Sequence, residues 1–313
     1  MTNVVNARRK SFFRRLLDDM RVNWILYVLI LPVFVYYIIF AYAPMYGIQL
    51  AFKDYRIKLG IMGSPWVGLE HFERFFSAYN FRQLLFNTLG ISVYSLIAGF
   101  PIPIIFALML NYLISNKLRK VVQMVSYAPY FISTVVICGM LTIFLDTNSG
   151  IFNVLRGLLG MEPVNALGKP EWFKSIYVWS GVWQGMGWSA VIYLSALSAV
   201  DPELHEAARI DGASRLMRIR HINIPAIQPT VVILFVMSVG QLASVGYEKI
   251  YLLQNDLNVN VSEVISTYVY KRGIENTNYS FSAAVGLFNN VINIVLLLCA
   301  NAVSHRLSQT SLF

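Results

Sequence analysis

The chain has 313 residues, of which 57% are hydrophobic and only 13% charged, against about 45–50% and about 25% in ordinary soluble domains. That balance excludes a soluble globular protein and assigns the chain to a membrane. The formal charge of +9 fits basic loops facing anionic lipid, since no basic patch interleaved with exposed aromatics points to nucleic acid, and Cys138 and Cys299 both sit in apolar runs that supply neither a disulfide framework nor a metal site.

Residues 1–23 form a basic segment that holds Arg8, Arg9, Lys10, Arg14, Arg15 and Arg21. Trp24 to Ala43 then runs 20 residues without a charge, matching the ~20 residues a helix needs to cross ~30 Å of hydrocarbon. No small-residue cleavage site follows, so the run reads as a retained span and not as a signal peptide. Its basic flank predicts a cytoplasmic N-terminus. Five further apolar segments at 84–113, 121–145, 176–200, 230–253 and 283–303 complete an all-α membrane domain of six spans over 24–304. A tail at 305–313 then returns to the cytoplasm. The short turn with Lys117, Arg119 and Lys120 agrees with this orientation, whereas the outer positive charges are spread over long loops.

The first outer loop is irregular at Gly60, Gly63, Pro65 and Gly68, and Leu69 to Phe76 reads as a short amphipathic helix on the membrane surface. In span 4, Trp179 and Trp183 lie four apart on one helix face. Nine residues separate Lys174 from Trp183, which places Trp183 ~13 Å below the outer edge at ~1.5 Å per residue. Aromatic faces beside an amide suit sugar rings, so Trp183, Gln184 and Trp188 are candidates for lining a pathway. Close helix packing at Gly181, Gly185 and Gly187 accounts for the same stretch equally well.

Between spans 4 and 5 the polar stretch 201–225 interrupts the apolar pattern. Asp201 is a helix cap, Pro202 fits the first turn and Glu203 suits the helix dipole. Gly212 allows a bend before a second, basic helix with Arg215, Arg218 and Arg220, which predicts a bent helical pair outside the membrane.

Glu206-Ala207-Ala208, Asp211-Gly212-Ala213 and Ile222-x-Ile224-Pro225 resemble the EAA loop of permease subunits of type I ABC importers, in the branch that takes up carbohydrates. That branch reads EAAxxDGAxxxxxFxxIxLP. The spacing is kept, with Ile219 where Phe is usual and Ile224 where Leu is usual, and both changes preserve an apolar anchor. NTLGI at Asn87, GVWQGMGW at Gly181, YEKIYLLQND at Tyr247 and YSFSAAVGLFNNV at Tyr279 are similar to segments of permeases that import oligosaccharides from polysaccharide breakdown. The resemblance implies a second homologous permease, two ATP-binding subunits, an extracytoplasmic solute-binding protein, and a bacterial cytoplasmic membrane. ATP and Mg would be held on the ATPase subunits, with no cofactor on this chain. It further implies that Glu206 pairs with a basic group in the ATPase groove, that Ala207, Ala208 and Gly212 permit close approach, that Arg215 and Arg218 supply rim charges, and that Asp211, Ile222 and Pro225 complete the motif.

Further on, Glu248 and Lys249 are the charged residues inside a predicted span. Nineteen residues separate Pro229 from Glu248, ~29 Å of helix against ~30 Å of hydrocarbon, which places the pair near the outer boundary. A snorkelling pair and a gate or substrate contact both fit, and Tyr247 lies beside them. Asn289, Asn290 and Asn293 in span 6 serve either as packing contacts or as pathway lining. Ser262 to Gly273 reads as a second outer surface helix.

The predicted spans place no ionisable residue in a central position, which argues against an ion-coupled carrier. Gly168-Lys169 lacks P-loop spacing, and His71, His205, His221 and His305 are scattered over different loops, so neither an ATPase nor a metal or catalytic constellation is visible. A membrane subunit powered by other chains is the expectation, and a stand-alone secondary carrier or channel is the alternative.

Overall fold

The computed structural model describes residues 18–308. Every named element among them is helical, and the only strand-like contact is an isolated antiparallel bridge between Lys53 and Trp66. Four helices are long and apolar enough to cross a membrane: Trp24–Phe52, Phe81–Asn111, Arg215–Val239 and Tyr279–Arg306. A fifth crossing requires the bent pair Asn116–Phe131 and Thr134–Phe144. Helix Pro170–Ser198 has the length, at 29 residues, but its serines, glycines, tyrosines and Gln184 dilute its apolarity. Six crossings therefore count both of these less regular elements.

The first helix stands apart. None of its most apolar window is buried within the chain, so its side chains face lipid or another subunit. The second helix, Phe81–Asn111, packs against helix Pro170–Ser198, which is the central post of the fold. Small residues allow the close approaches. A Cβ at Gly187 would lie 2.1 Å from the Ser126 carbonyl oxygen, so only glycine fits where the post crosses helix Asn116–Tyr127. Ala107, Ala190, Tyr193, Leu197 and Ile227 then form a packed cluster joining the second, fourth and fifth helices. Between apolar helices in lipid, this close packing and polar ties supply the association that water-driven burial cannot.

Two expected spans are broken. The stretch 121–145 is not one straight crossing but an elbow of 97°. Pro129 sits in a 3-10 turn, Ile132 is extended, and Ser133 opens a new helix by accepting from the Val136 amide at 3.3 Å. The fifth span begins at Arg215 instead of residue 230 and ends at Val239, after which 240–246 is unwound and Tyr247–Leu253 forms a separate short helix. The basic second arm of the polar loop is thus the water-exposed start of span 5 itself. Glu248 and Lys249 no longer lie on a continuous helix from Pro229, so depth counted along such a helix does not apply to them.

Two helices widen to a π-turn just before an X-Pro step, at Ile38–Tyr42 ahead of Pro44 and at Ile219–Asn223 ahead of Pro225. Proline supplies no amide to the preceding turn, and its ring crowds the carbonyl four residues back. The Ile224 amide bonds the Ile219 carbonyl, five residues back, and the wider turn absorbs the misfit.

The outer segments fold onto the body instead of lying on lipid. Helix Glu70–Phe76 buries Phe75, 1% exposed, among Phe81, Phe281, Phe288 and Tyr268. The expected surface helix 262–273 is instead helix Ile265–Tyr270, with Ile265, Thr267 and Tyr268 buried, followed by a π-turn at Lys271–Glu275. Thr88 Oγ1 accepts from the Ile265 amide at 3.0 Å, and Asn87 Nδ2 donates to the Asn260 and Glu263 carbonyls, which fastens this segment to the second helix.

Candidate functional site: a coupling helix pair and a polar cavity

The stretch 201–225 forms the bent helical pair that its local signals predict. Asp201 accepts from the Glu203 amide at 2.9 Å and starts helix Pro202–Ile210. At its end the Gly212 amide donates to the Arg209 carbonyl (3.1 Å) and the Ala213 amide to the Ala208 carbonyl (2.8 Å), while Gly212 takes φ +76°. This pair of bonds is a Schellman closure, and it requires the left-handed conformation that glycine adopts without strain. Ser214 then caps the next helix by accepting from the Met217 amide at 3.3 Å. From Arg215 the chain runs helically, through the π-turn, into span 5.

No residue of helix Pro202–Ile210 or of Arg215–Arg218 is buried. Glu206 is exposed and forms no ion pair among the described residues. Ala207, Asp211, Gly212, Arg215 and Pro225 are exposed, and Ala208 and Ile222 are half-buried. Leu204, Ile210, Leu216 and Met217 present apolar side chains to solvent, with Ile210 87% exposed. Arg218 is turned inward: its guanidinium lies 5.7 Å from the Tyr112 ring, and Tyr112 donates to Asn223 Oδ1 at 3.4 Å. That inward arginine ties the start of span 5 to the end of the second helix, so it is Arg215 that faces solvent.

Above this pair, two adjoining cavities of about 460 Å³ and 320 Å³ flank the central post. Ser95, Gly99, Pro103, Tyr177 and Ser189 line both, so the two form one space with polar groups set in a largely apolar wall. Its size is that of a ligand site, ~300–1,000 Å³. Ser92, Ser238, Gln241 and Ser244 add hydroxyl and amide groups to the larger cavity. Both breaks in the spans adjoin the space. Gln184 donates to the Ile132 carbonyl at 3.1 Å and so satisfies the elbow. Asn293 accepts from the Ala243 amide (2.9 Å) and donates to Ser244 Oγ (2.7 Å), satisfying the unwound 240–246 segment. Irregular backbone at membrane depth persists where such ties and a cavity wall satisfy it.

Of the sequence-predicted pathway residues, the cavities bring together Trp188 and Gln184. Trp188 stacks on Tyr130 at 4.9 Å and meets Phe131 edge-on at 5.9 Å, bracing the elbow. Trp183, Tyr247, Glu248 and Asn289 line neither cavity. Trp183 is 45% exposed. Tyr247 stacks on Tyr270 at 4.9 Å, and Tyr251 donates to Glu275 beside that pair. Glu248 is exposed, and Asn289 carries a buried Oδ1 without a hydrogen-bond partner. Lys249, read from sequence as half of a boundary pair that either snorkels or serves as a gate or substrate contact, lines the smaller cavity. The serines of the second and fifth helices were also missed, because single serines within apolar runs carry no spacing signal.

A family model described as binding-protein-dependent transport system inner membrane component matches residues 99–309. The chain is 39% identical over 305 residues, covering 97% of it and 95% of the relative, to the polygalacturonan/rhamnogalacturonan transport system permease protein YteP of Bacillus subtilis (strain 168). It is 38% identical to protein LplB of the same organism, covering 94% of this chain and 92% of that one. Among solved structures, a chain of a bacterial ABC transporter involved in the import of the acidic polysaccharide alginate superposes with TM-score 0.87 at 38% identity, covering 94% of this chain and 99% of that one. The same fit, TM-score 0.87, holds for the alginate ABC transporter in complex with an alginate pentasaccharide-bound periplasmic protein.

Proposed function

The chain belongs to the family of binding-protein-dependent transport system inner membrane components, and from that membership we propose that it is the permease subunit of an ATP-driven importer carrying oligosaccharides across the cytoplasmic membrane. The observation that carries the coupling mechanism is the continuity from Arg215 to Val239. The polar helix pair is exposed at one end of span 5, and the other end of that span borders the cavity through Leu234 and Ser238. Displacing the pair therefore moves the cavity wall, with no flexible linker between them. A packed helix of this kind moves as a rigid element between two discrete arrangements.

In this reading two ATP-binding subunits, which hold ATP and Mg, dock on the 201–225 pair from the cytoplasm, where both termini also lie. Glu206, which forms no ion pair among the described residues, meets a basic group in the docking groove. Ala207, Ala208 and the Gly212 turn permit close approach, Asp211 holds the turn at the surface, and Leu204, Ile210 and Leu216 lose their exposure. Arg215 supplies a rim charge, Arg218 acts within the chain, and Ile222 and Pro225 set the junction with the span. A second homologous permease completes the pathway, of which Trp188, Gln184 and the serine wall form one side. Trp183, Tyr247, Glu248 and Asn289 face that second subunit or the outer vestibule, where a solute-binding protein delivers substrate. Lipid surrounds the first helix, and no nucleic acid takes part.

The test is reconstitution of the chain with and without its partners. Uptake of a pectin-derived oligosaccharide is expected only from the complete assembly with ATP. Uptake by this chain alone, driven by an ion gradient, would instead establish the stand-alone carrier. Gly212→Trp places a bulky side chain on a backbone that strains any L-residue by ~1–2 kcal/mol and blocks close approach. It is expected to abolish substrate-stimulated ATP hydrolysis while the subunit still inserts in the membrane. Full coupled activity in that variant would remove the docking assignment.

A further inference from the structure

Lys249 is the sole charged residue in the lining of either cavity. Its Nζ donates to the Tyr177 carbonyl at 3.1 Å and lies 5.0 Å from the centre of the Tyr177 ring. No carboxylate among the described residues forms an ion pair with it, and its sequence neighbour Glu248 is exposed and lines neither cavity. An ammonium has three protons to donate, and among the described residues the Tyr177 carbonyl is the one hydrogen-bond acceptor for them. Gly181 opens the space beside it, since a Cβ there would lie 3.4 Å from Nζ. Tyr177 is the eighth residue of helix Pro170–Ser198 and lies three residues past Lys174, so at ~1.5 Å per residue the half-buried ammonium sits about 5 Å inside the outer edge of the post.

A half-buried cation with no ion-pair partner among the described residues is costly unless something compensates it. Here the compensation is partial, one carbonyl and one aromatic face, and the remaining donor capacity points at a space large enough for a sugar unit. We propose that Lys249 is the counter-charge for the carboxylate of an acidic, uronate-type unit as it passes the central post. The tyrosine ring beside it offers an apolar face to the sugar ring, and the serine wall meets the hydroxyls. With no acid in the lining, the same space has nothing to hold a cationic sugar. This assignment rests on the oligosaccharide reading above.

The experiment uses the complete importer with its binding protein and compares uptake of short galacturonate oligosaccharides with the same chains after carboxyl reduction. Lys249→Gln is expected to lower uptake of the acidic chains about tenfold more than that of the neutral ones, the worth of one charge-assisted hydrogen bond. Lys249→Arg retains the preference. Gly181→Val, which adds methyl groups beside the ammonium, shifts the preference in the same direction as Lys249→Gln and keeps the question decidable if the latter does not assemble. An equal loss for both sugars, or no loss for either, overturns the role of Lys249 while leaving the importer reading intact. Uptake of neither sugar by the wild-type assembly, with ATP still hydrolysed, overturns the oligosaccharide reading and the Lys249 assignment together.

Discussion

Gln184 and Asn293 show how single amides keep a broken helix viable in lipid. Gln184 meets the Ile132 carbonyl at the elbow, and Asn293 meets the Ala243 amide at the unwound segment. Ala243 is 2% exposed, so water does not replace a lost partner there. Asn293→Leu is accordingly expected to destabilise the subunit by ~1–3 kcal/mol, the cost of an orphaned buried group, and this reads out as a lower midpoint in thermal unfolding of the detergent-solubilised subunit. Asn293→Ser, which keeps a polar atom on a shorter arm, is expected to lose less. Equal midpoints for the wild type and Asn293→Leu would show that the segment finds its partners elsewhere. Gly187 gives a sharper case, because its missing side chain is what lets the post touch the Ser126 carbonyl. Gly187→Leu is expected to prevent folding of the subunit, detected as loss from the membrane fraction, whereas Gly185→Ala, with open space around its Cβ position, is expected to accumulate normally.

At the scale of elements, the junction between the coupling pair and span 5 is the piece that local chemistry shapes most directly. Pro225 imposes the π-turn at Ile219–Asn223. Pro225→Ala restores the missing amide and is expected to convert the turn to regular α-helix. That change rotates the arm relative to the span, and it should lower uptake more than ATP hydrolysis, measured on the same reconstituted sample. A variant with an unchanged ratio of the two would show that the wide turn carries no coupling role. How far the elements could be read from sequence follows the range of the signals. Asp201, Pro202 and Gly212 act on backbone groups within four residues, and the helix pair they announce is the one observed. The breaks at 132–133 and 240–246 were not foreseen, because each lies within a longer run without charges and the amides that stabilise them come from other helices. Pro129, Gly240 and Gly246 were the available signals. The cavity contact of Lys249 was not legible for the same reason, since counting ~1.5 Å per residue from Pro229 assumes a helix without a gap.

In the whole molecule, the coupling pair, span 5 and the polar cavity form one line of force around the post Pro170–Ser198. The sequence motif identifies only the first of these, and the fold supplies the connection. The central claim is that motion of the 201–225 pair reaches the cavity because the helix between them is unbroken. Inserting two glycines between Pro225 and Ala226 would interrupt that helix beyond the 201–225 pair and leave the pair's own sequence intact. The deciding measurement is sugar taken up per ATP hydrolysed by the reconstituted importer carrying this insertion. The account predicts that hydrolysis persists while uptake per ATP falls severalfold or more, as expected when a rigid link is replaced by residues that each cost a helix interior ~1 kcal/mol. Uptake per ATP equal to that of the wild type would contradict it.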